Sequence, residues 1–179
     1  MKKYLRLLAL TALCTPLLMS FKTVDDEHFL IKGNLVEMDL ESFDEAGNIV
    51  SKIVVYQDDE IYAAFDTNEK GDYEFNLPNE HFYEIHFGYG EYVIKKIAID
   101  ARDMKSRRGG YEIDLDVMLF KEMPNMTYTE LEEPLSVFYY EPMTKRFEQD
   151  YIYADSKFKE MKALKKRMVK TAKKNKSKK

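Results

Sequence analysis

One cysteine, three histidines and no tryptophan among 179 residues set the first limits on this chain. Cys14 has no partner for an intramolecular disulfide, so the fold must rest on its core. Without tryptophan the chain lacks one favoured ring for stacking on sugars, although its thirteen tyrosines keep tyrosine platforms open. The histidines, His28, His81 and His86, show none of the compact spacings that zinc sites use, and His81 and His86, five apart in a strand, point to opposite faces. No Gly-x-Ser-x-Gly context surrounds Ser42, Ser51, Ser106 or Ser136. No catalytic residue, metal or cofactor is therefore expected, and the chain is not read as an enzyme.

Long apolar runs are scarce too, and the one near-exception stands at the start. Lys2, Lys3 and Arg6 precede an apolar stretch from Leu7 to Leu13, which resumes at Leu17, Leu18 and Met19 after Cys14, Thr15 and Pro16. This stretch falls short of the ~20 continuous apolar residues that span a bilayer. It has the form of a secretory signal peptide over residues 1–20, cleaved near Ser20, which leaves no permanent transmembrane span after processing. Lipidation of Cys14 is the alternative, and bulky Leu13 directly before it argues against that processing. The expected location is exported, periplasmic or envelope-associated.

Charge is present in quantity but unevenly placed. Residues 156–179 hold twelve Lys or Arg against the single acid Glu160, whereas residues 21–155 hold thirteen against thirty-one Asp and Glu. The net charge of −4 thus conceals an acidic body and a basic tail, an asymmetry that suggests an interaction tail. The chain divides into the leader, an acidic linker at 21–28, a β domain at 29–120, an aromatic extension at 121–153 and a basic helix with a disordered lysine-rich end at 154–179.

Seven short apolar segments separated by turn residues read as strands: Phe29–Glu37, Ile49–Gln57, Ile61–Thr67, Asp72–Leu77, His81–Phe87, Glu91–Asp100 and Tyr111–Phe120. Tyr73, Phe75 and Leu77 alternate with Asp72, Glu74 and Asn76, as Tyr111, Ile113, Leu115, Val117 and Leu119 do with Glu112, Asp114 and Asp116. A period of two puts one face on a core and the other in water. Ile49, Ile53 and Val55 interleave instead with Val50, Val54 and Tyr56, so that strand should be central or covered on both faces. Two packed sheets are the simplest container.

Several turns follow one another in a telling order: Ile31-Lys32-Gly33-Asn34-Leu35-Val36, the Gly47 turn before Ile49, Asp66-Thr67-Asn68-Glu69-Lys70-Gly71-Asp72 leading into Tyr73-Glu74-Phe75, and Gly88-Tyr89. Over residues 29–120 this order resembles the carboxypeptidase regulatory-like domain, a transthyretin-like β-sandwich. Glu133 to Pro142, then Phe147-Glu148 and a terminal helix, look like the extension carried by related envelope proteins of Gram-negative bacteria. The resemblance implies a non-catalytic module and brings no zinc or catalytic residues. Two segments depart from it, Glu37–Glu45 in place of the usual proline-containing connection and the basic loop Lys105–Gly110.

Asp66 to Gly71 also begins like an EF-hand loop, but Lys70 stands at the fifth ligand position and Leu77 at the twelfth, so a β-hairpin turn is the better reading. Glu112, Asp114 and Asp116 form an acidic outer stripe, either for solvation or for docking a cation. Arg107-Arg108-Gly109-Gly110 reads as a reversing loop, and no nucleic-acid partner is expected. Leu135–Tyr140 and Arg146–Gln149 form a hairpin around Pro142, with Phe138, Tyr139, Tyr140, Phe147, Tyr151 and Tyr153 either burying a sandwich edge or presenting a sugar-stacking surface. From Ala154, apolar spacing through Phe158, Met161, Leu164 and Met168 predicts an amphipathic helix capped by Asp155 or Ser156, fraying toward Lys173–Lys179. Its candidate partner-binding residues are Lys165, Lys166, Arg167, Lys170, Lys173 and Lys174.

Together these readings predict an all-β, seven-stranded Ig-like or transthyretin-like sandwich with a C-terminal hairpin and a basic amphipathic helix. The expected role is a non-catalytic periplasmic or envelope-associated interaction or scaffold protein, meeting an envelope protein or an anionic envelope surface; a secreted glycan-binding or adhesion module is the alternative. The leader makes the first testable claim. Mass spectrometry of the exported protein should find its N-terminus near Phe21; Met1–Ser20 still attached would refute cleavage, and a lipid on Cys14 would establish the lipoprotein alternative.

Overall fold

A computed structural model describes residues 28–40, 42–105 and 110–176. The leader, the acidic segment up to residue 27, the Arg107-Arg108-Gly109 stretch and the last three residues lie outside the described residues.

The described chain is an all-β sandwich followed by one α-helix. Its strands are β1 (His28–Met38), β2 (Glu45–Asn48), β3 (Lys52–Gln57), β4 (Glu60–Asp66), β5 (Asp72–Pro78), β6 (Phe82–Phe87), β7 (Lys95–Asp100), β8 (Glu112–Asp114), β9 (Val117–Leu119), β10 (Ser136–Glu141) and β11 (Arg146–Gln149). A single 3₁₀ turn covers Thr129–Leu131, and helix α1 runs over Tyr151–Lys176. In one sheet β1 is the common partner, antiparallel to β2 and β5 and parallel to β8 and β9. The other sheet is ordered β11-β10-β7-β6-β3-β4, with β10 parallel to β7.

The alternating patterns land where period two sends them. Tyr73, Phe75 and Leu77 face Ile53, Val55, Tyr83, Ile85, Phe87, Ile97 and Ile99 across the sandwich in one buried core. Ile113, Leu115, Val117 and Leu119 are buried in the same core. Their segment is nevertheless two strands and not one. At the break the ladder bond is replaced by Asp116, whose Oδ1 accepts from Asn34 N–H at 2.9 Å. Pairing of Leu30 with Glu112 and of Leu35 with Val117 keeps the same offset on both sides, so the break is a kink and not a slip.

Other differences from the seven-strand expectation have local causes. Ile49 and Ser51 form a corner before β3: Thr67 Oγ1 accepts from Ser51 N–H and donates to the Ile49 carbonyl, both at 3.0 Å. Residues 91–94 precede β7 and join no strand ladder; an isolated β-bridge between Tyr92 and Lys121, the Tyr92–Glu37 hydrogen bond and the Glu91–Lys121 ion pair hold them. The turn at Asn68 is not a hairpin turn, because β4 and β5 belong to different sheets; it is a corner, closed by Asn68 Oδ1 accepting from the N–H groups of Lys70 and Asp72 with Gly71 at φ 78°. Strand β3 lies between β4 and β6, with Ile53 and Val55 fully buried and Lys52, Val54 and Tyr56 half-buried on the outer face.

Gly33 occupies an inward position of β1, between Ile31 and Leu35, and has no side chain there for a reason. A Cβ at residue 33 would sit 2.1 Å from the Leu115 carbonyl oxygen and 2.9 Å from the Tyr73 hydroxyl. The hydroxyl itself donates to that carbonyl. Gly33→Ala should therefore destabilise the sandwich by ~2 kcal/mol or more, because the colliding atom is backbone and cannot swing away. Urea unfolding would measure it, and an unchanged midpoint would contradict the close approach.

Candidate functional site

The chain leaves β11 and turns straight into α1. Asp150 is the cap: its Oδ1 accepts from the N–H groups of Ile152 at 3.0 Å and Tyr153 at 2.9 Å. The helix thus starts earlier than a cap at Asp155 or Ser156 would place it. It also continues to Lys176 where the sequence reading has it fray from Lys173 onward. Lysine and alanine are good helix formers, and cations in the final turns complement the partial negative charge of a helix C-terminus.

Docking fixes which face of the helix is free. Leu164 and Met168 are buried in a second apolar cluster with Val93, Phe120, Met123 and Leu131, bordered by Met38 and Phe43. Phe158, expected on the packing face, is instead 66% exposed, and Lys157 takes the buried place, its ammonium bonding Glu160 at 2.9 Å. The long aliphatic stem of lysine can cover apolar surface while its charge finds a partner.

The six predicted partner-binding residues separate accordingly. Arg167 is committed to the body: Nη2 donates to both Glu130 oxygens at 2.7 and 2.6 Å and to the Thr127 carbonyl at 3.1 Å. Lys165 lies over the Phe43 ring, 4.5 Å from its centroid. Lys166, Lys170 and Lys173 are exposed, and Lys174 is exposed beside them. With Lys159 and Lys162 they recur at spacings of three, four, four and three, which lines up Lys159, Lys162, Lys166, Lys170 and Lys173 on one face, opposite Leu164 and Met168. Lys159 alone of this stripe has an ion pair among the described residues, with Asp155 at 2.6 Å.

Other candidates resolve into ordinary structure. The acidic stripe is bridged by Lys32, which pairs with Glu112 at 2.5 Å and lies 3.9 Å from Asp114, and the hydrogen bond to Glu112 raises the Lys32 pKa. His81 bonds Asp58 at 2.8 Å and His86 bonds Glu84 at 2.5 Å while its ring stacks 4.5 Å from Tyr56. Among the described residues no cluster of three His, Cys, Asp or Glu is placed to hold a metal. Phe147 packs 5.1 Å from Phe29, and Tyr111 lies 5.3 Å from Tyr140, so the aromatic extension closes the core; Tyr139 and Tyr151 remain exposed.

One site was missed by sequence reasoning. Between α1 and the end of the sandwich is a cavity of about 360 Å³. Met38, Met161 and Met168 line it together with Phe43, Phe120 and Phe158. Three cations, Lys95, Lys162 and Lys165, line it as well, and no acidic side chain does. Lys95 stands on the same face of β7 as Ile97 and Ile99, so a cation at a core register position was the available signal. Its ammonium donates to the Met118 carbonyl and lies 5.4 Å from the Phe120 ring. Burial pushes the Lys95 pKa down to about 8. A second, more open groove is lined on the other side by Leu135, Gln149 and Tyr151, and Phe158 and Met161 are common to both.

No known family model matches the chain, and no curated protein sequence does. Among solved structures it is similar to the Bacillus anthracis TIE protein, at 19% identity and a TM-score of 0.35, over 52% of this chain and 17% of that one. It is also similar to the shaft pilin SpaA of Lactobacillus rhamnosus GG, at 11% identity and a TM-score of 0.33, over 54% of this chain and 52% of the pilin. The chain spans less than two thirds of either, and likenesses of this strength carry no argument about function.

The Lys95 environment gives a prediction with a definite sign. Its folded pKa lies below the ordinary 10.5, so the cost of burying the charge is fully present below pH 8 and disappears as pH rises from about 8 toward 10.5. Lys95→Met should therefore raise stability at pH 7 by on the order of 2 kcal/mol, after allowance for the lost bond to Met118. Urea titrations at pH 7 and pH 9.5 should show the gap shrinking at the higher pH. A variant less stable than wild type at both would show that Lys95 is a structural strut.

Proposed function

We propose that this chain is a non-catalytic interaction or scaffold module of the bacterial cell envelope, exported by its leader, which meets anionic envelope surfaces through helix α1. The observation that carries this reading is the lysine stripe Lys159, Lys162, Lys166, Lys170 and Lys173 on the face opposite the docked one. The motif order over residues 29–120, which resembles the carboxypeptidase regulatory-like domain, supports an accessory and not a catalytic role. Among the described residues no helix is long and apolar enough to cross a membrane.

Docking limits the contacts that the helix can make. Leu164 and Met168 are occupied in the core beneath the helix, so they do not serve as membrane anchors while it is docked. Tyr151, Ile152 and Phe158, exposed by 76%, 88% and 66%, are the apolar contacts that remain on the helix. Association is then peripheral and mostly Coulombic, drawn in over a screening length of ~8 Å at physiological salt and opposed by the acidic body.

The mature protein and a Lys166→Gln/Lys170→Gln/Lys173→Gln variant should be compared on phosphatidylglycerol and phosphatidylcholine vesicles at low and moderate salt. Wild type should prefer the anionic vesicles, lose binding with salt, and exceed the variant by about tenfold or more. Equal, salt-insensitive binding by both proteins would sink the proposal. Saturable binding to neutral sugars, unchanged in the variant, would move the function to exposed tyrosines such as Tyr62, Tyr89 and Tyr139.

A further inference from the structure

We infer that the cavity between α1 and the end of the sandwich binds a single acyl chain carrying an anionic head group. This inference does not rest on the surface association above: of the outward lysine stripe only Lys162 also lines the cavity, and the Lys166→Gln/Lys170→Gln/Lys173→Gln variant leaves Lys162 in place.

The lining determines the ligand class by what it can and cannot bond. About 360 Å³ lies within the ~300–1,000 Å³ range of small-ligand pockets. Methionine side chains are flexible and polarisable and reshape around a chain, and Met38, Met161 and Met168 supply them here. Phe43, Phe120 and Phe158 supply aromatic wall. The strong polar side-chain groups of the lining are three ammoniums, which donate hydrogen bonds and accept none. Sugars and peptides bring O–H and N–H donors that such a lining leaves unpaired. A hydrocarbon chain ending in a carboxylate or a phosphate monoester brings acceptors alone.

Lys95 marks where the head group goes. Its ammonium has three donors, and the bond to the Met118 carbonyl uses one of them. A cation in an apolar wall is costly unless an anion or several acceptors meet it, and no carboxylate of the protein lines the site. The anionic head provides that charge. Lys162 and Lys165, both exposed, stand on the neighbouring surface of α1 and supply cations nearer solvent, with Lys165 held in place over the Phe43 ring.

The test uses the mature full chain with its methionine methyl groups labelled for NMR, and dodecanoate below its micellar concentration as the probe. Dodecanoate should bind saturably at one site and shift the signals of Met38, Met161 and Met168. Met104, buried in the main core, and Met143, 91% exposed, should not move. Dodecyl phosphate should bind as well as dodecanoate if any anionic head suffices, and much more weakly if the site selects carboxylate; either result sustains the inference. Dodecanol and acetate, which carry only one half of the ligand each, should bind at least about tenfold more weakly.

Lys162→Gln, a change at an exposed position that folding tolerates, should weaken dodecanoate about tenfold, and Lys95→Met should do so while raising stability. The Lys166→Gln/Lys170→Gln/Lys173→Gln variant should keep dodecanoate binding while losing vesicle binding, which separates the two proposals. Equal binding of dodecanol and dodecanoate would overturn the inference. Shifts spread over Met104 and Met143, or no shift at all, would overturn it too.

Discussion

Everything in the first sheet hangs on strand β1, and β1 hangs on the place where the backbone of Leu115 passes over Gly33. Four strands pair with β1: β5 and β8 with its first half, β2 and β9 with its second. The crossing point lies between the halves. There the Tyr73 hydroxyl, from β5, donates to the Leu115 carbonyl that would otherwise be buried without a partner. Asn34, the next residue, ties both neighbours: its N–H donates to Asp116, and its side-chain amide donates to Lys70 and Asp72. The cost of ionising Tyr73 in that setting is high, and burial drives its pKa upward, so the bond persists through the physiological range.

That crossing also explains how a chain without disulfides closes a two-sheet body. The last strands of the domain return parallel to its first, so contacts of long sequence separation lock the sandwich where hairpins alone would leave β1 on an edge. The second sheet is extended in the same way by β10, which joins parallel to β7 and brings Phe138, Tyr140 and Phe147 onto the core. The aromatic extension is therefore structural substance of the sandwich. Its rings leave few faces for a ligand.

Much of this was legible in the amino-acid pattern because period two is a local property. Tyr73, Phe75 and Leu77, and Ile113 through Leu119, faced inward as their alternation required, and Arg146–Gln149 returned against β10 after the Pro142 turn. Partners were not legible. Nothing in the order of residues says that β4 and β5 lie in different sheets, so the Asn68 turn looked like a hairpin when it is a corner. Nor did helical spacing locate the docked face fully. Met161, Leu164 and Met168 follow it, but at the preceding turn Lys157 lies under the helix and Phe158, though it lines the cavity, stays largely exposed, because Tyr153, bonded to the Pro134 carbonyl, and the Lys157–Glu160 pair fill that contact. Lys95 went unnoticed as a site residue for the opposite reason: its position on the inward face was readable, but a charge there reads as a strand end until the cavity beside it is seen.

The helix reconciles two demands that the sequence sets against each other. An amphipathic basic helix free in solution could press its apolar stripe into a bilayer, whereas this one has spent Leu164 and Met168 on the body and ties Arg167 to Glu130. Undocking it to reach a membrane would expose Phe120, Leu131 and Met123 to water as well, a penalty that the few exposed contacts at Tyr151, Ile152 and Phe158 do not offset. A docked helix therefore offers mostly charge outward, along the lysine stripe, with Tyr151, Ile152 and Phe158 as its exposed apolar contacts. Apolar surface and cations still meet on the inner side, where Lys95 lies 5.4 Å from the Phe120 ring in the lining of the cavity. The lysine stripe that we propose meets anions and the cavity that we propose accepts an acyl chain thus share one helix and meet at Lys162, while Leu164 and Met168 hold that helix in the second core.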